Sequence, residues 1–117
     1  MSVVDDAVKL EPGNYASLFI SERPLDPPGY GVVMNEMMSA AEQMEGYLGF
    51  ESLRDGEDGI FISYWKDASS VEAWAAHAGH RMAKSRGTAE WYGAFRSVLC
   101  KVERTTWFRR AVSPAAK

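Results

Sequence analysis

The chain has 117 residues, 46% of them hydrophobic and 25% charged, with a formal net charge of -3 and a pI near 5.4. That is the size and composition of one folded domain, and its acidity offers no footprint for a phosphate backbone, which argues against a nucleic-acid partner. With one cysteine, Cys100, no internal disulfide can form, no apolar run reaches the 18 or so residues of a membrane helix, and the start of the chain lacks a secretory pattern; we expect a cytoplasmic protein with no membrane partner.

Residues 1–14 mix acids with a Pro and a Gly and are expected to form an N-terminal arm, followed by a domain over 15–109 and a flexible tail over 110–117. Residues 15–22 alternate as a first strand. Pro24, Pro27 and Pro28 then end it in a stiff loop. From Tyr30 the period changes: Val33, Met34, Met37, Met38, Ala41 and Met44 recur at steps of three and four, which predicts an amphipathic helix to about Glu45 with Gly46 at its C-terminal cap. Residues 47–54 read as a strand, 55–59 as a turn rich in residues that accept positive φ, and 60–65 as a third strand.

Asp67-Ala-Ser-Ser70 is a helix start, because short polar side chains accept the orphan amide protons of a first turn. A second long helix is predicted over 69–85, with Val71, Trp74, Ala75, Ala78 and Met82 as its apolar stripe and Gly87 closing it. Residues 88–95 read as a short extra helical turn carrying Trp91 and Tyr92, and 97–108 as a long last strand in which Cys100 is expected to be buried and inert. The order β-α-β-β-α-β is the α+β, ferredoxin-like arrangement: a four-stranded antiparallel sheet with both helices on one face.

Such a sheet leaves one face bare. On the third strand Ile60, Ile62 and Tyr64 point one way while Phe61 and Trp65 point the other, so both faces are apolar. That predicts a homodimer through the sheet faces, the alternative cover being the chain's own arm or tail.

The run from Trp65 through Trp74 and His77 to His80, then Glu90-Trp91-Tyr92 and Val102-Glu103-Arg104, with Gly46-Tyr-Leu-Gly49 before the second strand, resembles the antibiotic biosynthesis monooxygenase family over about residues 16–108. The resemblance implies a dimeric α+β barrel with a pocket between sheet and helices. Characterised relatives oxidise quinol-like or anthrone-like aromatics with molecular oxygen and no metal or flavin; others degrade haem or bind small molecules. The polyketide-oxidising members carry an Asn four residues before the strand-ending Trp, where this chain has Phe61. The haem-degrading members carry a His ten residues after the helix Trp, where this chain has Lys84.

His77 and His80 are neighbours at a spacing of three, a start for a metal site that lacks further ligands of telling spacing, so no metal is expected. On the wheel of one continuous helix His77 flanks the stripe beside Trp74 and His80 falls away from it. His77 and the phenol of Tyr92 are therefore the candidate catalytic groups. Trp74, His80, Trp91, Phe61, Met34, Met38 and Met82 are the candidate substrate-binding residues, methionines suiting an adaptable wall around a flat guest. The function expected is oxygenation of a small aromatic or quinol-like molecule without a cofactor. The alternatives are a protein that binds haem or another hydrophobic small molecule without turnover, and a structural dimer with a vestigial pocket.

Overall fold

The computed structural model describes residues 2–111; the expected tail falls outside the described residues from position 112 onward. Four strands form one antiparallel sheet in the order β2-β3-β1-β4. They are β1 (Tyr15–Glu22), β2 (Tyr47–Asp55), β3 (Asp58–Trp65) and β4 (Ala94–Lys101). Helix α1 (Tyr30–Glu42) crosses between β1 and β2. Between β3 and β4 lie α2 (Ala68–Ala76), α3 (Ala78–Arg86) and a π-helical turn, Gly87–Trp91. This is the predicted α+β, ferredoxin-like arrangement. Among the described residues no helix is long and apolar enough to cross a membrane.

The register is set by the period-2 pattern. Tyr15 pairs with Trp65 and Lys101 at one end of the sheet, Glu22 with Asp58 and Ala94 at the other. Odd-numbered residues of β1, β3 and β4 therefore share one face and even-numbered ones the other. The β2–β3 hairpin closes tightly from Asp55 to Asp58, with Gly56 at φ +59°, a left-handed conformation that glycine adopts at little steric cost. Gly46, at φ +86°, precedes β2; a Cβ there would collide with the Ser70 hydroxyl, so only glycine lets the loop pass the start of α2.

The core sits at the Tyr15 end, where Trp65 is fully buried against Trp74 and Ala41, with Met37, Met44, Tyr47 and Val71 packed around them. Burying an indole removes about 150–250 Å² from water, or about 4–6 kcal/mol at 25 cal/mol per Å². The Trp65 Nε1–H donates to Ser63 Oγ at 3.0 Å, so its one polar atom is satisfied. Asp67 caps α2 as expected. Its Oδ1 accepts from the Ser70 amide at 2.9 Å and hydroxyl at 2.7 Å, and these bonds hold the carboxyl below the usual carboxylate range.

Four expectations are corrected. First, the helix predicted over 69–85 is two helices, because the backbone is extended at His77 (ψ 133°). The break shifts the helical phase of α3, so Ala83 is buried while Met82 is 66% exposed. Second, the helical turn after it covers Gly87–Trp91 and is of the π type. Third, β4 ends at Lys101 rather than 108, because β1 begins at Tyr15 and offers no ladder beyond it; one further pair of bonds, Gly13 N to Val102 O and Val102 N to Asn14 O, each 2.8 Å, leads out of the sheet. Fourth, Cys100 is exposed, since β4 is an edge strand and Cys100 faces away from the helices.

The face away from the helices is partly covered by the arm. The Asp5 amide donates to Glu51 Oε2 at 2.9 Å, while Tyr64 donates to Glu51 Oε1 at 2.7 Å. Arg109 ties the arm to the end of the described chain through Asp6 Oδ1, the Val4 carbonyl and Ser2 Oγ. Beneath this cover Ala16 and Tyr64 are buried; at the opposite end Ile20, Leu53 and Ile60 remain exposed.

Candidate functional site

Between the helices and the odd-numbered face of the sheet lies a cavity of about 670 Å³, within the usual range for a small-molecule site. Its floor follows β3 from Trp65 through Ser63 and Phe61 to Gly59. Phe19 on β1 and Phe95, Ser97 and Leu99 on β4 extend it. Helix α1 supplies Met34, Met37 and Met38; α2 and α3 supply Trp74, His80 and Lys84; the π-helical turn supplies Trp91.

The aromatic residues interlock. Phe61 stacks on Phe50 with centroids 5.2 Å apart. Trp74 stacks on Trp65 at 5.8 Å and on His80 at 4.9 Å. Tyr92 meets Phe19 edge-on at 5.1 Å. The π-helical turn places Trp91 against Tyr30 at 5.1 Å, and its indole N–H donates to the Pro28 carbonyl at 3.1 Å. That bond ties the wall to the loop before α1.

Toward Gly59 the lining turns polar. Arg23, one residue beyond β1 and in phase with Ser17, Phe19 and Ser21, lies inside with 8% of its surface exposed. Its guanidinium covers the Tyr30 ring at 3.9 Å. Arg54 reaches over Gly59, and its Nη2 lies 3.4 Å from Ser21 Oγ. Burial first, then the neighbouring Tyr30, drives the Tyr92 phenol pKa up, while the Arg23 and Arg54 guanidiniums pull it down. Tyr92 is thus a proton donor at neutral pH.

At the other end burial pushes His80 below the ordinary imidazole value of 6.5, and the Lys84 ammonium adds to the effect. His80 is therefore a neutral proton acceptor at pH 7. The buried polar atoms without a partner among the described residues are Arg23 Nε, Tyr47 Oη and His80 Nδ1, and all three belong to residues that line the cavity. Orphaned buried polar atoms are uncommon in folded chains.

The structure brings Phe61, Met34, Met38, Trp74, His80, Trp91 and Tyr92 to the cavity wall. Met82 stands on the exposed side of α3. His77 stacks on Trp74 at 5.3 Å but is not part of the wall; the extended backbone at His77 turns α3 so that His80 takes the inward place the continuous-helix wheel gave to His77. His77 and His80 belong to no group of three His, Cys, Asp or Glu side chains among the described residues. Tyr30, Arg23 and Arg54 escaped the sequence reading. The signal for Arg23 was its strand parity with Ser17, Phe19 and Ser21.

The profile of the family described as antibiotic biosynthesis monooxygenase matches residues 30–86. The uncharacterized protein YqjZ of Bacillus subtilis is 35% identical over 100 residues, covering 85% of this chain and 88% of that one. The chain belongs to the antibiotic biosynthesis monooxygenase family. Among solved structures, SnoaB, a cofactor-independent oxygenase from Streptomyces nogalater, superposes with a TM-score of 0.66 at 14% identity, covering 80% of this chain and 96% of that one. Rv0793 from Mycobacterium tuberculosis superposes with a TM-score of 0.69 at 5% identity, covering 80% and 99%. At such identities the likeness is one of fold.

Proposed function

We propose that this family member is a monooxygenase that oxygenates a small, electron-rich, quinol-like aromatic in the cavity without a cofactor. The observation that carries the reading is an aromatic- and methionine-walled cavity of about 670 Å³ with His80, held neutral by burial, among its lining residues. The likeness to SnoaB supports it. His80 takes a proton from the bound molecule, leaving a carbanion or phenolate conjugated with the ring. That anion gives one electron to oxygen, the resulting radicals join as a peroxide at carbon, the peroxide takes back the proton held by His80 to become a hydroperoxide, and loss of water leaves a carbonyl. One oxygen atom stays on the product and the other leaves as water with two substrate hydrogens. Tyr92, protonated, donates to the developing oxyanion. The walls keep bulk water from the intermediate.

Oxygen uptake with a panel of quinols and anthrones tests this. Uptake by the wild type and a loss of about 10²–10⁴-fold in His80→Ala, the usual worth of a general base, is expected. Equal uptake by the variant removes His80 from the mechanism. The second reading, binding without turnover, is favoured by Phe61, a side chain that offers a bound oxygen no hydrogen bond. Tight binding of the panel with no uptake by the wild type would establish it. We further propose that a second copy of the chain covers Ile20, Leu53 and Ile60, since an apolar sheet face of this kind is stable when buried.

A further inference from the structure

Two guanidiniums at one end of an apolar cavity need explaining. Arg23 is nine-tenths buried, yet its Nη1 donates only to main-chain oxygens, those of Pro24 and Leu25, each at 2.8 Å. The Tyr30 ring covers its face and its Nε has no partner. Carbonyls and a ring satisfy hydrogen bonds and polarisation but do not neutralise a charge. Arg54, partly buried, likewise meets uncharged partners: its Nη1 donates to the Glu57 carbonyl at 3.0 Å, and its Nη2 to Ser21 Oγ. The ion pairs among the described residues are Arg86–Glu90 and Arg109–Asp6, and neither reaches this site. Both arginines line the same cavity, with Arg54 over Gly59 and against Ser21. A buried cation without a counter-ion is costly, and a second cation lining the same cavity adds to that cost.

We infer that the cavity holds its guest by an acidic group, an aromatic carboxylate whose oxygens pair with Arg23 and Arg54 at the Gly59 end. The inference rests on the reading of the cavity as a ligand site and adds the class of ligand. A carboxylate matches the planar fork of a guanidinium, which presents parallel N–H donors. Tyr30, under the Arg23 guanidinium, and Tyr92 line the same cavity. The remaining wall, Phe19, Phe61 and the methionines of α1, is suited to a flat ring carried by that carboxylate. The reacting carbon is then directed toward His80, at the opposite end of the floor.

Calorimetric titration at pH 7 with 2-naphthoate, its neutral counterpart 2-naphthalenemethanol, and 2-naphthol tests the inference. Naphthoate is expected to bind at least about tenfold more tightly than the methanol, as for a charge-assisted pair. Arg54→Gln is expected to erase that preference while leaving the affinity for the neutral alcohol within about twofold. Arg23→Gln should do the same; because Arg23 is buried, the half-buried Arg54 carries the test. Equal affinity for acid and alcohol, or an equal loss of both in Arg54→Gln, overturns the carboxylate and leaves the cavity reading intact. Tighter binding of naphthol overturns it in favour of a phenolate. Failure of all three to bind overturns the cavity reading together with the inference.

Discussion

Gly87 opens the π-helical turn with a backbone that any residue can adopt, and it is glycine for reasons of space. A Cβ built there stands 2.6 Å from Tyr92 Cε2 and 2.9 Å from Cδ2. Carbon atoms in contact prefer about 3.5–4.0 Å, so Gly87→Ala must drive the ring back by about 1 Å. The ring has little room, with Phe19 at 5.1 Å and Phe95 at 5.9 Å between centroids. Overpacking of this kind costs about 1–3 kcal/mol. Against it stands the gain from Gly to Ala in helical backbone, about 1 kcal/mol. The net expectation is a loss of about 1 kcal/mol in the wild-type background. In a Tyr92→Ala background the clash is gone and the same substitution should stabilise by up to about 1 kcal/mol. The two effects differ in sign, with a coupling of about 1–3 kcal/mol. Urea unfolding followed by tryptophan fluorescence, at one fixed chain concentration, measures all four proteins of the cycle. A Gly87→Ala effect of the same sign and size in both backgrounds would refute the packing argument.

Other parts of the molecule carry further expected outcomes. His80 binds its proton less tightly folded than unfolded, so the unfolded chain takes it up first as pH falls below the ordinary value of 6.5; stability is full above that value and declines below it. Urea midpoints at pH 7.5 and 5.5 should show this slope, and His80→Leu should reduce it. Tyr64→Phe breaks the bond that helps hold Glu51 under the Asp5 amide and should cost about 1–3 kcal/mol, with faster hydrogen exchange at Asp5; unchanged exchange would show that the arm is held elsewhere. Ile60→Lys places a charge on the exposed part of the sheet face. Light scattering should give twice the chain mass for the wild type and the chain mass for the variant, and equal masses would remove this face from the interface.

The sheet was legible because its signals are local. The alternation of 60–65 fixes which side chains face the helices, residues 55–59 admit one kind of turn, and Asp67 with Ser70 marks where α2 begins. The break at His77 was not, since Ala-Ala-His-Ala continues an excellent helical pattern and Gly79 is tolerated inside it. One residue of extended backbone then exchanged the roles of His77 and His80. Nor was the polar end legible. An arginine at a strand end reads as solvated, and only the pairing of β3 with both β1 and β2 brings Arg23 and Arg54 to the same end of the sheet. The end of β4 depended on where its neighbour begins, a property of residue 15 rather than of residues 102–108.

The bonds from Arg109 to Asp6, Val4 and Ser2 span more than a hundred positions of sequence. The arm's residues are therefore made well before Arg109, and until then the arm's hold on the sheet is the bond from the Asp5 amide to Glu51. Contacts of such long sequence separation form slowly, because chain entropy is lost before they reward it. The arm is then a closing act of folding, and the interval before it docks is when Leu18, Ile62 and Tyr64 stand open to water or to another nascent chain.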